Sequence, residues 1–122
     1  MRSDEKVIVD TTYGKIKGVK WRSIYGPTTY YSFEGIPFAK PPVGELRFKA
    51  PVEPEPWTGV KRCTRVRSKP CQYNIILKQV QGREDCLYLN VYTRNVSSCF
   101  LTHKKKKRNL FMITVFLFFN FS

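Results

Sequence analysis

The sequence predicts a protein made mostly of short antiparallel β-strands and ordered, proline-rich loops, with little helix. Three observations predict this class. Residues 86 to 92 alternate between aliphatic and mixed side chains, with the period of two that is typical of a strand. Residues 6 to 33 do not sustain the 3.6-residue apolar period of an amphipathic helix. Residues 33 to 48 are rich in proline and glycine, which prevent regular structure.

Composition limits the chain to at most one modest domain of 122 residues. Its 42% hydrophobic and 15% aromatic content argues against wholesale disorder. The net charge is +13, but residues 94–122 alone hold six Lys and Arg and no Asp or Glu, mostly in Lys104–Arg108. The other cations are scattered and belong to no module with stacking aromatic residues. We therefore interpret them as a solvated face and expect no nucleic-acid partner.

The N-terminus is charged and leads into a short apolar patch, Val7–Val9, which is too short for the apolar core of a signal peptide. A cytoplasmic location is therefore expected. The four cysteines allow three disulfide connectivities, and sequence alone does not choose between them. Without a signal peptide, free thiols are the default expectation.

The first third of the chain is expected to form strands joined by tight turns. Lys6–Thr11 and Thr28–Phe33 are rich in β-favouring residues. Turn residues occur at Tyr13-Gly14 and at Ile24–Pro27. These segments predict antiparallel pairing.

The middle third is predicted to be irregular. Phe33–Phe48 combines its prolines with Phe, Ile and Leu, so we expect an ordered loop that its aromatic residues clamp to a core. Trp57–Val60 is expected to return to the body of the protein. Cys63–Val80 is expected to be a polar loop, with at most a weak helical turn over residues 74–80.

The next stretch predicts a strand that ends near Thr93. One face should be dry, with Leu87, Leu89 and Val91, and the other should be mixed, with Cys86, Tyr88, Asn90 and Tyr92.

Three blocks occur in order: Tyr13–Gly18, Phe33–Phe48 and Glu84–Tyr92. Together they resemble the N-terminal part of the type-B carboxylesterase (carboxylesterase and cholinesterase) family, and their wording is most similar to insect α-esterase-like members. The resemblance covers roughly residues 7 to 95. It implies an N-terminal fragment of an α/β-hydrolase fold, with a carboxylic ester as substrate of the complete parent only. The family signature is Glu84, Asp85, Cys86, Leu87, Tyr88, Leu89, Asn90 and Val91.

The family's chemistry requires a serine on a G-x-S-x-G elbow, a histidine base and a glycine-rich oxyanion segment. The sequence contains no serine flanked in that way and no HGGG-like run. Its single histidine, His103, lies beside Lys104 and is interpreted as solvated. In the family, the acids that match Glu84 and Asp85 are structural. We therefore expect no catalytic residue, no metal and no cofactor, and interpret the chain as an inactive, truncated carboxylesterase.

The resemblance also implies two structural pairings. In the family, the cysteines that match Cys71 and Cys86 form a disulfide. The loop that such a bond closes would add about 3 kcal/mol to the free energy of unfolding in the chain-entropy model. Two reduced thiols remain the alternative. The family also has an ion pair at the positions of Arg47 and Glu84, and if this pair is buried, breaking it should be strongly destabilising. Cys63 and Cys99 match no partner in the family.

Composition changes after residue 95, which we take as the boundary between an incomplete domain, residues 1–95, and an unrelated basic and apolar tail. Residues 96–122 contain no Gly, Ala, Pro, Asp or Glu. Val96-Ser97 can be encoded by an intron's 5′ boundary, so the tail is interpreted as translated intron or a truncated gene model. A membrane anchor is the alternative, but the apolar run of about twelve residues is shorter than the roughly twenty that span a bilayer.

Two other functions remain alternatives. One is a non-catalytic, esterase-like binding protein, and the other is a small basic protein held at a membrane by its tail. Strands cut off from their sheet neighbours expose apolar residues and open edges, so we expect aggregation.

Overall fold

The computed structural model describes residues 2–96 and 112–114, with side chains described from residue 5 to residue 96. Most of its regular structure is β-strand, and the described residues contain one 3-10 turn, Gly44–Leu46, and no α-helix. The strands are β1 (Arg2–Thr11), β2 (Gly14–Arg22), β3 (Thr29–Pro37), β4 (Val60–Arg62), β5 (Gln72–Asn74), β6 (Gln79–Gln81), β7 (Tyr88–Thr93) and β8 (Met112–Thr114). The prediction of strands with little helix is confirmed.

The main sheet has the order β1-β2-β3-β7-β8 among the described residues, and all of these neighbours are antiparallel. β1 and β2 form a hairpin that closes with Thr11 opposite Gly14. β2 and β3 form the next hairpin, with Val19 opposite Ser32. Both hairpins follow from the alternating, β-branched segments and the turn residues between them.

β4 enters the sheet where β2 and β3 separate. It runs parallel to the start of β2, with Lys15 opposite Val60, while the end of β2 pairs with β3. Beyond β4, the N–H of Cys63 donates to Lys17 at 2.9 Å, and its carbonyl accepts from the N–H of Glu34 at 2.9 Å. Cys63 therefore bridges the two diverging strands and is fully buried.

The core is small and lies against this junction. Its buried residues are Val9, Ile16, Phe33, Ile36 and Cys63. Partly buried apolar residues pack around them, and these include Trp57, Leu89 and Val91. The Trp57 indole N–H donates to the Lys15 carbonyl at 2.9 Å, which ties the returning segment to β2.

The proline-rich segment is anchored by only part of its sequence. Phe33, Ile36 and Ala39 are buried, but Phe48 is fully exposed. The prediction that the aromatic residues hold this segment against the core is therefore wrong for Phe48. Phe33 and Ile36 lie within β3 and face the core, whereas Phe48 follows the 3-10 turn at the surface with φ of 58°.

The predicted polar loop over residues 63–80 contains a β-hairpin instead of a helical turn. β5 and β6 pair antiparallel, with Tyr73 opposite Val80. The side chain of Asn74 closes the turn by accepting hydrogen bonds from the backbone N–H groups of Ile76 and Leu77. This local acceptor favours a turn over a helix.

The alternation expected for β7 is only partly observed. Leu89 and Val91 contact the core but remain partly exposed, while Asn90, from the face expected to be mixed, is buried. On its other side β7 pairs with β8, and Val91 lies opposite Ile113.

β8 lies beyond the predicted boundary at residue 95, so a strand of the predicted tail joins the sheet of the predicted domain. That boundary, and the interpretation of residues 96–122 as an unrelated tail, stay predictions. His103, Cys99 and the basic run Lys104–Arg108 lie outside the described residues.

Candidate functional site

A β-bulge at Gly35 interrupts the pairing of β3 with β7, the strand that carries the end of the family signature. Glu34 pairs with Asn90 and Ile36 pairs with Leu89, so Gly35 is an extra residue in β3. Its N–H donates to Asn90 Oδ1 at 2.8 Å in a buried hydrogen bond. Gly35 has φ of +75°, and a Cβ there would lie 2.7 Å from the Arg65 carbonyl oxygen. The bulge therefore requires glycine, and Asn90 replaces the hydrogen bond that the ladder loses.

The two tyrosines of the signature region bind carboxylates. The Tyr92 hydroxyl donates to Glu34 Oε1 at 3.0 Å, and the Tyr88 hydroxyl donates to Asp85 Oδ2 at 2.9 Å. Burial, reinforced by the hydrogen bond to Glu34, raises the pKa of Tyr92 to about 12. Burial also raises the pKa of Tyr88, with a further contribution from Asp85. Both phenols are held in the neutral form and serve as donors.

The structure brings Arg47 and Glu84 together, since Arg47 Nη2 donates to Glu84 Oε1. The pair connects the end of the proline-rich segment to the residues that precede β7. The side chains are 55% and 41% exposed, so the condition of burial under which the pair would be strongly stabilising is not met.

Cys71 and Cys86 are both free thiols in the structure, Cys71 exposed and Cys86 half-buried. Burial raises the pKa of Cys86, and the nearby Asp85 and Cys71 raise it further. Cys86 also lines a cavity of about 320 Å³, together with Arg67, Lys69, Tyr88 and Asn90.

The cavity lining includes Ser68, Lys69 and Cys86 but no histidine. Residues 2–96 and 112–114 contain no histidine, and they hold no cluster of three side chains that could bind a metal. Arg67 stacks over the Tyr88 ring, with its guanidinium carbon 5.8 Å from the ring centroid. Chemically, this region can hold strands together and attract an anion, because its charged lining residues are cations.

The sequence does not predict the roles of three residues that shape this region. The loop predicted over Phe33–Phe48 includes Glu34 and Gly35, but in the structure they lie in β3 and partner Tyr92 and Asn90. Cys63 had no predicted role, yet it bridges β2 and β3. The sequence offers one signal for the bulge, because an isolated glycine inside a β-rich run, here Gly35, can indicate one. In the described part of the chain, no helix is long and apolar enough to cross a membrane.

Comparison with known proteins relates the sequence of this chain to one family. A model of the Carboxylesterase family matches residues 5–119, past the boundary predicted at residue 95. The chain is 42% identical over 94 residues to Esterase B1 from Culex pipiens. This match covers 76% of this chain and 17% of that protein. It is 49% identical over 87 residues to juvenile hormone esterase from Tribolium castaneum, covering 70% of this chain and 15% of that protein.

The chain therefore belongs to the carboxylesterase family, as the resemblance predicted. It spans only about a sixth of the length of the curated relatives that it matches.

Proposed function

We propose that this chain forms the N-terminal scaffold of a carboxylic ester hydrolase with an α/β-hydrolase fold, and that it carries no catalytic site of its own. The observation that supports this most strongly is the Asn90–Gly35 hydrogen bond. Through this hydrogen bond, Asn90, the most buried polar side chain of the family signature, holds β3 and β7 in register. The signature's other polar groups, in Glu84, Asp85 and Tyr88, contact partners within the same scaffold.

The complete parent would hydrolyse esters through a serine nucleophile, with a histidine base and an oxyanion hole. Those parts require a G-x-S-x-G elbow and a glycine-rich segment, and neither motif occurs in these 122 residues. This chain would contribute to the reaction indirectly, because its strands would form part of the sheet that positions the reacting groups.

A chimera tests the scaffold role. Residues 5–95 of this chain would replace the matching segment of Culex pipiens Esterase B1, to which it is 42% identical. We expect the chimera to hydrolyse p-nitrophenyl acetate, while this chain alone gives no more turnover than a heat-denatured sample. A folded but inactive chimera, or saturable labelling of this chain by a fluorophosphonate, would overturn the proposal.

We also propose that Cys71 and Cys86 form a disulfide under oxidising conditions. Both thiols are free, and they flank the segment that carries β5 and β6. The bond would close the residues that carry the β5–β6 hairpin into a loop. Mass spectrometry of non-reduced peptides tests this, since it should detect a linked pair that disappears on reduction. Recovery of only unlinked Cys71 and Cys86 peptides after oxidation would exclude the bond.

A further inference from the structure

The β5–β6 hairpin presents its apolar face to solvent, and Gln72 and Gln79 of its amide face are also exposed. Asn74 and Gln81 are half-buried, and the Asn74 amide donates to the Gln81 side-chain oxygen at 3.3 Å. Tyr73 and Val80 lie opposite each other on the other face and are 60% and 74% exposed. This is the reverse of the orientation expected for a hairpin packed on a core.

The tip of the hairpin continues the apolar surface. Ile75, Ile76 and Leu77 are consecutive and are 82%, 90% and 57% exposed. Asn74 Oδ1 accepts from the N–H groups of Ile76 and Leu77, at 3.0 and 2.9 Å. Because these bonds fix the turn, the aliphatic side chains are held outward by the local backbone.

The base of the hairpin is closed by the two segments that flank it. The N–H of Arg83 donates to the Lys69 carbonyl at 2.8 Å. Gly82 has φ of +97°, and a Cβ there would lie 2.1 Å from the Pro70 carbonyl oxygen. A backbone hydrogen bond and the close approach of Gly82 to Pro70 therefore join the two strands at the base of the hairpin.

The charge around the hairpin has one sign. Residues 56–83 contain seven Lys and Arg and no Asp or Glu. Lys69, Lys78 and Arg83 are exposed at its base and tip. The next acids along the chain, Glu84 and Asp85, already contact Arg47 and Tyr88. An apolar tip with cationic flanks complements a negatively charged surface.

We propose that this hairpin docks the protein on anionic lipid surfaces, with Ile75, Ile76 and Leu77 inserted among the lipids and the cations against the headgroups. Interfacial binding depends on buried apolar area together with attraction to anionic lipid. A protein partner fits less well. Protein interfaces are enriched in Trp, Tyr and Arg anchors. Tyr73 and Arg83 lie on the strand and base of the hairpin, but its tip is aliphatic and the turn N–H groups there are already bonded.

The first test places a tryptophan at the tip of the full chain. Ile76→Trp is compared with Ile24→Trp, whose parent side chain is 78% exposed in the turn between β2 and β3. Vesicles contain brominated acyl chains, with or without phosphatidylserine in phosphatidylcholine. Relative to the parent chain, whose Trp21 and Trp57 also fluoresce, we expect a further blue shift and quenching for Ile76→Trp on anionic vesicles, and neither for Ile24→Trp.

The second test measures partitioning into the same vesicles by co-sedimentation. The double substitution Ile75→Asp and Ile76→Asp should weaken binding at least about tenfold, while Ile24→Asp should not. Lys78→Gln should weaken it about fivefold, the effect expected for one cation near an anionic surface. All of these side chains are exposed, so the fold should tolerate the changes.

Several results would overturn the proposal. Equal quenching of the two tryptophan variants would place the contact elsewhere, as would its absence from both. Blue-shifted emission of Ile76→Trp without vesicles would show that protein covers the tip. If Ile76→Asp instead converts a dimer to a monomer in sedimentation velocity, a second copy of the chain is the partner. Equal binding to pure phosphatidylcholine would remove the role assigned to the cations.

Discussion

Asn90 supplies the acceptor for the backbone N–H of Gly35, the one residue of β3 that the bulge removes from regular pairing with β7. The two residues are 55 positions apart in the chain and meet in a buried hydrogen bond. A bulge fixes the register of a strand pair, because a slip by one residue would turn every side chain to the opposite face. The asparagine of the family signature therefore specifies how β3 and β7 align.

Asn90→Ala should leave the buried N–H of Gly35 without an acceptor. We expect the free energy of unfolding to fall by about 1–3 kcal/mol, the cost of an unsatisfied buried donor. Urea unfolding followed by tryptophan fluorescence at low protein concentration measures this loss. Hydrogen exchange of the Gly35 amide should accelerate in the same variant.

The matched control for Asn90→Ala is Gln79→Ala, which removes an exposed amide from β6. It should change the free energy of unfolding by no more than about 0.5 kcal/mol. Equal losses for the two variants would mean that the hydrogen bond to Gly35 does not stabilise the strand pair.

The strands of this protein could be predicted because their local signals agree. Residues 6–11 and 28–33 combine β-branched and aromatic residues with flanking turn residues, and the structure has strands over both. The burial of Asn90 could not be predicted from the same rule. The period of two assigns it to the face of Tyr88 and Tyr92, and only the distant bulge at Gly35 explains why an amide is buried there.

The candidate site was predicted by resemblance rather than by physical pattern. Nothing in the spacing of Arg47 and Glu84 indicates an ion pair, because 37 residues separate them and a proline-rich path decides where Arg47 lies. The exposure of Phe48 was missed for a related reason. An aromatic residue favours a core, but the 3-10 turn before it ends at the surface, where backbone geometry overrides the side chain's preference.

The ion pair between Arg47 and Glu84 should contribute little to stability. Both side chains are about half exposed, so water screens their attraction. A double-mutant cycle with Arg47→Ala, Glu84→Ala and their combination should give a coupling energy below about 1 kcal/mol. That coupling should weaken as salt is added.

The exposed pair Lys40–Glu55, with Nζ and Oε1 2.7 Å apart, provides the comparison for this cycle. It should give a coupling energy of similar size. A coupling of about 3 kcal/mol or more at Arg47–Glu84 alone would indicate a desolvated pair and contradict the expectation.

Cys63 should resist alkylation until the protein unfolds. Its side chain is fully buried between β2 and β3, and burial raises the pKa of the thiol, which lowers the fraction of reactive thiolate. In the reduced protein, iodoacetamide should modify the exposed Cys71 first, and peptide mapping by mass spectrometry follows both sites. Modification of Cys63 at the rate of Cys71 under native conditions would show that the junction opens readily.

Tyr92 should make the protein sensitive to alkaline pH. Its pKa rises from 10.0 to about 12 in the folded state, because it is half-buried and donates to Glu34. An acid whose pKa is raised by folding is stabilised in its protonated form. The contribution is therefore complete below about pH 10 and is lost as the pH rises to about 12.

Urea unfolding at about pH 9 and at about pH 11.5 measures this loss, and Tyr92→Phe should reduce the difference between the two conditions. Burial also raises the pKa values of Tyr88 and Cys63, and their contributions remain in the variant, so the change isolates Tyr92. Tyr25→Phe, whose ring is 94% exposed, is the control and should retain the wild-type difference. If Tyr92→Phe loses as much stability between the two pH values as the wild type, the hydrogen bond to Glu34 does not hold the phenol protonated.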